Sequence, residues 1–238
     1  MSDIEKLQNL IDSSNNIVFF GGAGVSTESG IRDFRGKNGL YKEKLDRSPE
    51  YMLSRTCLYR EPELFFDYYK NNMNSLDIKP NITHRYLNEL EDSGKLKAVV
   101  TQNIDGLHQK AGSKNVLEIH GTTMKNYCDK CNKTYPSDYI FNSIGIPKCS
   151  CGGMIRPDVT LYGEMLPPAF ETAIYYIRNA DLLIVGGTSL TVEPASSLLR
   201  YFNGKHLVII NNTTTSYDSI AELVINKPLG EVFSNLKI

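Results

Sequence analysis

Four of the five cysteines fall in one short stretch: Cys128 and Cys131, then seventeen residues, then Cys149 and Cys151. Two thiolate pairs joined by a loop can close a tetrahedral Zn2+ site, and four cysteine ligands leave no open position for a reactant. One structural zinc per chain is therefore expected, with Gly152 and Gly153 supplying the turn that the tighter C-x-C pair needs. A reduced metal-free loop, a redox pair or a zinc-ribbon nucleic-acid module are the alternatives, the last disfavoured by flanks that are not strongly basic. Cys57 stands alone and reads as a small buried apolar residue.

A second group of residues follows the apolar run Ile17 to Phe20, in "GAGVSTESGIRDFRG" from Gly22 to Gly36. Gly22, Ala23 and Gly24 after a strand allow a backbone to approach a pyrophosphate at a helix N-terminus. The continuation departs from a full G-x-G-x-x-G, because Ser26 and Thr27 take its place and Asp33, Phe34 and Arg35 follow. Arg35 can neutralise a phosphate, and Phe34 can shield a cation from water or pack in the core. "TQNIDGLHQKAG" puts Gln102, Asn103, Ile104 and Asp105 after another apolar run, where amide and carboxylate groups suit ribose hydroxyls and a carboxamide. His120, in "LEIHG", ends a further run and suits a general base near neutral pH, the alternative being a capping histidine. His108 lies inside a predicted helix and reads as structural. Gly187, Thr188 and Ser189, and Asn211 after "LVII", stand at two more run ends.

The elements that position these residues are β-rich runs alternating with helical patterns. "NIVFFGG", "LKAVVTQN", "NVLEIHG", "DVTLYGE", "DLLIVGG", "HLVIINN" and "AELVIN" are mostly continuous, as in strands buried on both faces of a parallel sheet. Helices are expected at Met1 to Ile11, Pro168 to Asn179 and Pro194 to Phe202. The fold class is α/β, a Rossmann-like doubly wound parallel sheet with its crevice at the strand ends, a smaller zinc-binding module and a helical insertion. The expected division is a Rossmann-like domain from residues 1–36, 80–124 and 157–238, and a small domain from the helical insertion 37–79 and the zinc module 125–156. Twenty-six basic and twenty-seven acidic residues give a net charge of −1, so neither nucleic acid nor a membrane surface is an expected partner. No export signal or membrane-spanning run appears, and a cytoplasmic monomer is expected.

In order, these motifs, with "RPDVTLYGE" and "GTSLTVEPA", resemble the sirtuin family of NAD-dependent protein lysine deacylases from about Ile17 to Val232. "GLYKE" and the short length are similar to compact bacterial members. The resemblance implies an enzyme that moves an acyl group from lysine to ADP-ribose and releases nicotinamide. NAD+ would lie along Gly22, Ala23, Gly24, Ser26, Thr27, Asp33, Phe34, Arg35, Gln102, Asn103, Ile104 and Asp105, with Gly187, Thr188, Ser189, Asn211 and Leu229 at its adenosine half. His120 would be the general base, and Asn103 and Asp105 would hold the nicotinamide carboxamide out of conjugation with its ring. Thr160, Leu161 and Tyr162 would pair by backbone with an acyl-lysine peptide, and Val192 would lie opposite. Three departures stand out: Gly21 before "GAG", Arg32 in place of a frequent proline, and the shortened second cysteine pair. Tyr51 and Arg55 are four apart rather than the three that mark sirtuins acting on acidic acyl groups, so acetyl or another uncharged acyl is expected. A protein mono-ADP-ribosyltransferase is the alternative. An NAD-dependent oxidoreductase would normally need the full fingerprint and a ribose-binding acid.

Overall fold

Continuous apolar runs can be satisfied only between two layers of helix, and the computed structural model, which describes residues 1–36, 39–42 and 45–238, builds that arrangement. The chain opens with α1 (Asp3–Ser13), capped by Ser2 and Glu5, and enters β1 (Ile17–Gly21). Short helices α2 (Pro49–Met52) and α3 (Arg55–Arg60) and the longer α4 (Pro62–Met73) fill the region of the expected insertion. Next come α5 (Ile82–Asp92), β2 (Leu96–Thr101), α6 (Leu107–Ala111) and β3 (Val116–Glu118). Strands β4 (Gly121–Cys128) and β5 (Thr134–Pro136), α7 (Ser137–Phe141) and β6 (Ile155–Val159) surround the cysteines. The chain then returns through α8 (Ala169–Asn179), β7 (Leu182–Gly186), β8 (His206–Ile210), β9 (Leu223–Ile225) and α9 (Leu229–Phe233).

Six strands form one parallel sheet in the order β3-β2-β1-β7-β8-β9. Strand order reverses between β1 and β7, so the crevice opens beyond Gly21 and Gly186, where the glycine motifs lie. Alternate side chains of each strand serve opposite cores. Ile17, Phe19, Leu182 and Ile184 pack under α1, α5 and α9, whereas Val18, Phe20, Leu183 and Val185 pack under α8 and the segment 195–201. That last segment is 3-10 rather than α-helical. "DVTLYGE" is corrected more substantially. Its strand, β6, pairs antiparallel with β4 in a separate sheet ordered β5-β4-β6, because Cys128 must face Ile155 to bring the two cysteine pairs together. A third core joins α3 and α4 to this small sheet through Leu58, Phe65, Tyr69, Cys128, Ile140, Cys149 and Ile155. Cys57 is fully buried in it, as expected of a small apolar residue.

Candidate active site

At the reversal point the two glycine loops pack backbone to backbone. The Gly22 and Gly24 N–H groups donate to the carbonyls of Gly186 (3.3 Å) and Gly187 (2.8 Å). A Cβ on Gly24 would sit 2.7 Å from the Gly187 Cα, and one on Gly22 2.8 Å from the Thr188 Cβ. Gly187 itself has φ of 60°, in the left-handed region that favours glycine. The glycines thus first allow β1 and β7 to end side by side, and the expected helix start is a pair of 3-10 turns, Ala23–Val25 and Thr27–Ser29. Thr27 bonds back to the Gly24 carbonyl (3.0 Å), and Glu28 accepts from the Gly230 N–H (3.2 Å), which brings Leu229 to the same rim.

The end of β2 supplies a hydrogen-bonded chain across the crevice. Gln102 donates to the Thr188 hydroxyl at 3.0 Å, while Asn103 donates to Ser26 Oγ at 3.1 Å. Ser26 in turn donates to Asp105 Oδ2 at 2.7 Å, and the other Asp105 oxygen accepts from the Leu107 N–H at 2.9 Å. Burial pushes the Asp105 carboxyl up, and those two donors oppose it. An acid buried this deeply acts through Ser26 and Asn103 by fixing where their polar atoms point.

His120 stands in the turn between β3 and β4, and its Nδ1 is 3.0 Å from the Gln102 carbonyl. A carbonyl can only accept, so Nδ1 carries the proton and Nε2 holds the lone pair. Burial lowers the His120 pKa below its ordinary 6.5, with the Gln102 bond pulling the other way. The ring is therefore a neutral base at pH 7. His108 is fully enclosed against His84, its pKa held well below the usual range by burial, which fits a structural role.

Phe34 and Arg35 enter from a loop that folds back on itself, since Leu40 and Tyr41 donate to the carbonyls of Asp33 and Phe34 (both 2.9 Å). Asp33 makes the turn by accepting from the Gly36 N–H (3.0 Å). Opposite, the N–H groups of Thr160, Leu161 and Tyr162 are already bonded to the His120 carbonyl, the Glu164 carboxylate and the Leu53 carbonyl. Backbone pairing with a peptide at these three residues would thus have to use other groups, such as the Thr160 carbonyl. Arg156 and Glu164 form a bidentate pair (2.6 and 2.9 Å) that clamps this segment. Replacing Glu164 with glutamine keeps the shape but leaves a buried guanidinium uncompensated. The expected cost is about 3 kcal/mol, a drop of roughly 6–12 °C in Tm, read by thermal unfolding.

One cavity of about 1800 Å3 brings these groups together. Along it lie Gly22, Ala23, Gly24, Ser26, Thr27, Asp33, Phe34 and Arg35 from the first motif, and Gln102, Asn103, Ile104, Asp105 and His120 from the next strand ends. Thr160, Leu161, Tyr162 and Val192 line it too, as do Gly187, Thr188, Ser189, Asn211 and Leu229. Its size exceeds the roughly 300–1,000 Å3 of a site for one small ligand. Leu53, Tyr69, Met73 and Ser75 also line it, although nothing in their sequence marks them as site residues. Tyr51 and Arg55 are spent elsewhere, Tyr51 donating to Glu61 and Arg55 lying over the Tyr59 ring.

The four clustered cysteines converge away from this cavity, with all sulfurs within 4.8 Å of one another. Cys128 and Cys151 are 3.4 Å apart and Cys131 and Cys149 3.6 Å, near the roughly 3.8 Å edge of a ZnS4 tetrahedron with 2.3 Å bonds. Gly152 takes the left-handed φ of 82°, and a Cβ on Gly153 would meet Cys128 Sγ at 2.6 Å, so both glycines shape the knuckle. The donor set fits one structural Zn2+.

Comparison with known proteins agrees with this geometry. Residues 22–194 match the model of the Sir2 family. An NAD-dependent protein deacetylase of Clostridium perfringens is 53% identical over 238 residues, covering 98% of each chain. One from Clostridium tetani is 52% identical, covering 99% of this chain and 98% of its own. Among solved structures, a Sir2 protein with a deacetylated p53 peptide and 3′-O-acetyl ADP-ribose has a TM-score of 0.90 at 39% identity, covering 98% of this chain and 96% of its own. Another, with a p53 peptide and NAD+, has a TM-score of 0.86 at 38% identity, with coverage of 98% and 96%. The chain belongs to the Sir2 family.

Proposed function

We propose that the cavity takes NAD+ along its glycine rim and an acyl-lysine side chain between Tyr162 and Val192, making this an NAD-dependent protein lysine deacetylase. The observation that carries the reading is His120, a neutral base that lines the same cavity as the Asn103–Ser26–Asp105 chain. When bound, NAD+ supplies a ribose carbon from which nicotinamide can leave. Asn103 and Gln102 offer amides for a carboxamide and ribose, and Asp105 holds Ser26 and Asn103 in place. Arg35 faces the phosphates, and Ser189, Asn211 and Leu229 lie at the adenosine end. Phe34 keeps water from the reacting carbon. His120 takes the proton from a ribose hydroxyl, so that the oxygen can accept the acyl group.

Segments 37–79 and 125–156 form one small domain in this reading, supported by the core that α3 and α4 share with the zinc module. Four cysteines gathered as thiolate metal ligands, with a fifth buried as a thiol, suit a reducing compartment such as the cytoplasm. No helix among the described residues is long and apolar enough to cross a membrane. With Tyr51 and Arg55 engaged outside the cavity, acetyl or another uncharged acyl is the fitting group.

Incubation of the full chain with NAD+ and an acetyl-lysine peptide is expected to yield nicotinamide and deacetylated peptide in equal amounts. NADH instead would indicate an oxidoreductase. Adenylate label retained on protein, without deacetylated peptide, would indicate an ADP-ribosyltransferase.

A further inference from the structure

Tyr41 and Tyr162 meet hydroxyl to hydroxyl across the cavity that both of them line. They come from two separate segments of the chain. Tyr162 is a braced post: its N–H donates to the Leu53 carbonyl (3.1 Å), its carbonyl accepts from Arg55 (3.0 Å), and the Arg156–Glu164 pair clamps the turn around it. Tyr41 belongs to the short loop that carries the proposed NAD+ contacts. Its ring meets Phe34 edge to face at 5.5 Å, and the Arg35 guanidinium lies over it at 4.9 Å. With its N–H also bonded to the Phe34 carbonyl, Tyr41 cannot shift without moving Phe34 and Arg35.

Resting on the function proposed above, we infer that the Tyr41–Tyr162 hydroxyl pair is a positioning contact that ties Phe34 and Arg35 over the NAD+ side to the acyl-lysine side. Both tyrosines act through the two residues that Tyr41 carries. The contact also couples the two substrates, since a chain passing Tyr162 acts on a polar bond that ties Tyr41 to the opposite wall. Burial, together with the bond to Tyr162, raises the Tyr41 pKa above its ordinary value, so the Tyr41 hydroxyl keeps its proton across the neutral range.

The two ends differ in exposure: Tyr162 is 42% exposed and Tyr41 is half-buried. Removing the Tyr162 oxygen takes a partner from the more buried of the two tyrosines, whereas removing the Tyr41 oxygen leaves the more exposed Tyr162 hydroxyl to solvent. The test compares Tyr162→Phe, Tyr41→Phe and the double variant of the full chain, with NAD+ and an acetyl-lysine peptide. Each variant keeps its ring, and thermal melting reports on folding. KM for NAD+ is expected to rise roughly fivefold in Tyr162→Phe and about threefold in Tyr41→Phe. The double variant should be no worse than Tyr162→Phe, because one shared contact can be lost only once. Nicotinamide released per deacetylated peptide should climb above one as water gains the site that Phe34 covers. A KM for NAD+ that does not move, or single effects that multiply in the double variant, overturns the tie. A loss of melting temperature with an unchanged product ratio would likewise mark the pair as structural only. Failure of the unaltered protein to release nicotinamide would overturn the function instead.

Discussion

His120→Ala is expected to lower peptide deacetylation by about 10^2–10^4-fold, the range over which a positioned general base contributes. The Gln102 carbonyl fixes the tautomer, and burial keeps the ring neutral, so Nε2 is ready to accept a proton before any reactant arrives. The base is needed only after nicotinamide has left, so exchange of labelled nicotinamide into NAD+ should outlast peptide deacetylation in the variant. The pH profile follows from the direction of the shift. In the folded protein His120 protonates below its ordinary 6.5, so the rate holds from pH 8 down to about 6.5 and falls only in more acid solution. Stability has the same sign: the unfolded chain binds this proton first, so the contribution of neutral His120 is present above 6.5 and is lost as pH falls through the lower folded value. Steady-state rates between pH 5 and 8.5 check the first point, and thermal unfolding over the same range checks the second. An alanine variant that deacetylates at the unaltered rate would remove His120 from the role of base.

Much of this site was legible because its residues stand at the ends of strands. A continuous run such as Ile17 to Phe20 suits a strand buried on both faces of a parallel sheet, and such a sheet gathers whatever follows its strands. Gly22, Asn103, His120, Thr188 and Asn211 meet for that reason, although they are scattered over most of the chain. Strand β4 lacked this signal. Its residues mix Lys125 and Asn126 with Thr122, Thr123 and Tyr127, and it is held by β5 and β6 rather than by two apolar faces. "DVTLYGE" has enough apolar character to pass for a sheet strand, yet the pairing of Cys128 with Ile155 draws β6 into the other sheet. Tyr41, Glu164 and Arg156 drew no role from sequence, because the contacts that give them one, Tyr41 to Tyr162 and Arg156 to Glu164, form only once the chain has folded. The same holds for Leu53, Tyr69 and Met73, which look like core positions and are partly so.

Those last residues set the second large effect, which is expected on removing zinc. Cys128 and Cys149 are buried in the core that also holds Leu58, Phe65 and Tyr69, so the sulfur cluster and the helical insertion share one interior. Apparent zinc-binding energies of about 10–16 kcal/mol in small four-ligand sites match or exceed the stability of a whole domain, about 5–15 kcal/mol. A chelator strong enough to strip the metal is therefore expected to unfold the three-stranded sheet and loosen α3 and α4. The parallel sheet has two cores of its own and should stay folded. Activity would still fall by roughly 100-fold or more, because Leu53, Tyr69 and Met73 line one wall of the cavity and Leu53 braces Tyr162. Metal analysis should give one zinc per chain before treatment, and limited proteolysis afterwards should cut within 125–156. Cys128→Ser should reproduce the stripped state without a chelator, since it removes a ligand that is wholly buried. Metal-free protein that stays active and resists the protease would rule out a structural zinc, and would leave the four sulfurs within 4.8 Å of one another without a physical cause.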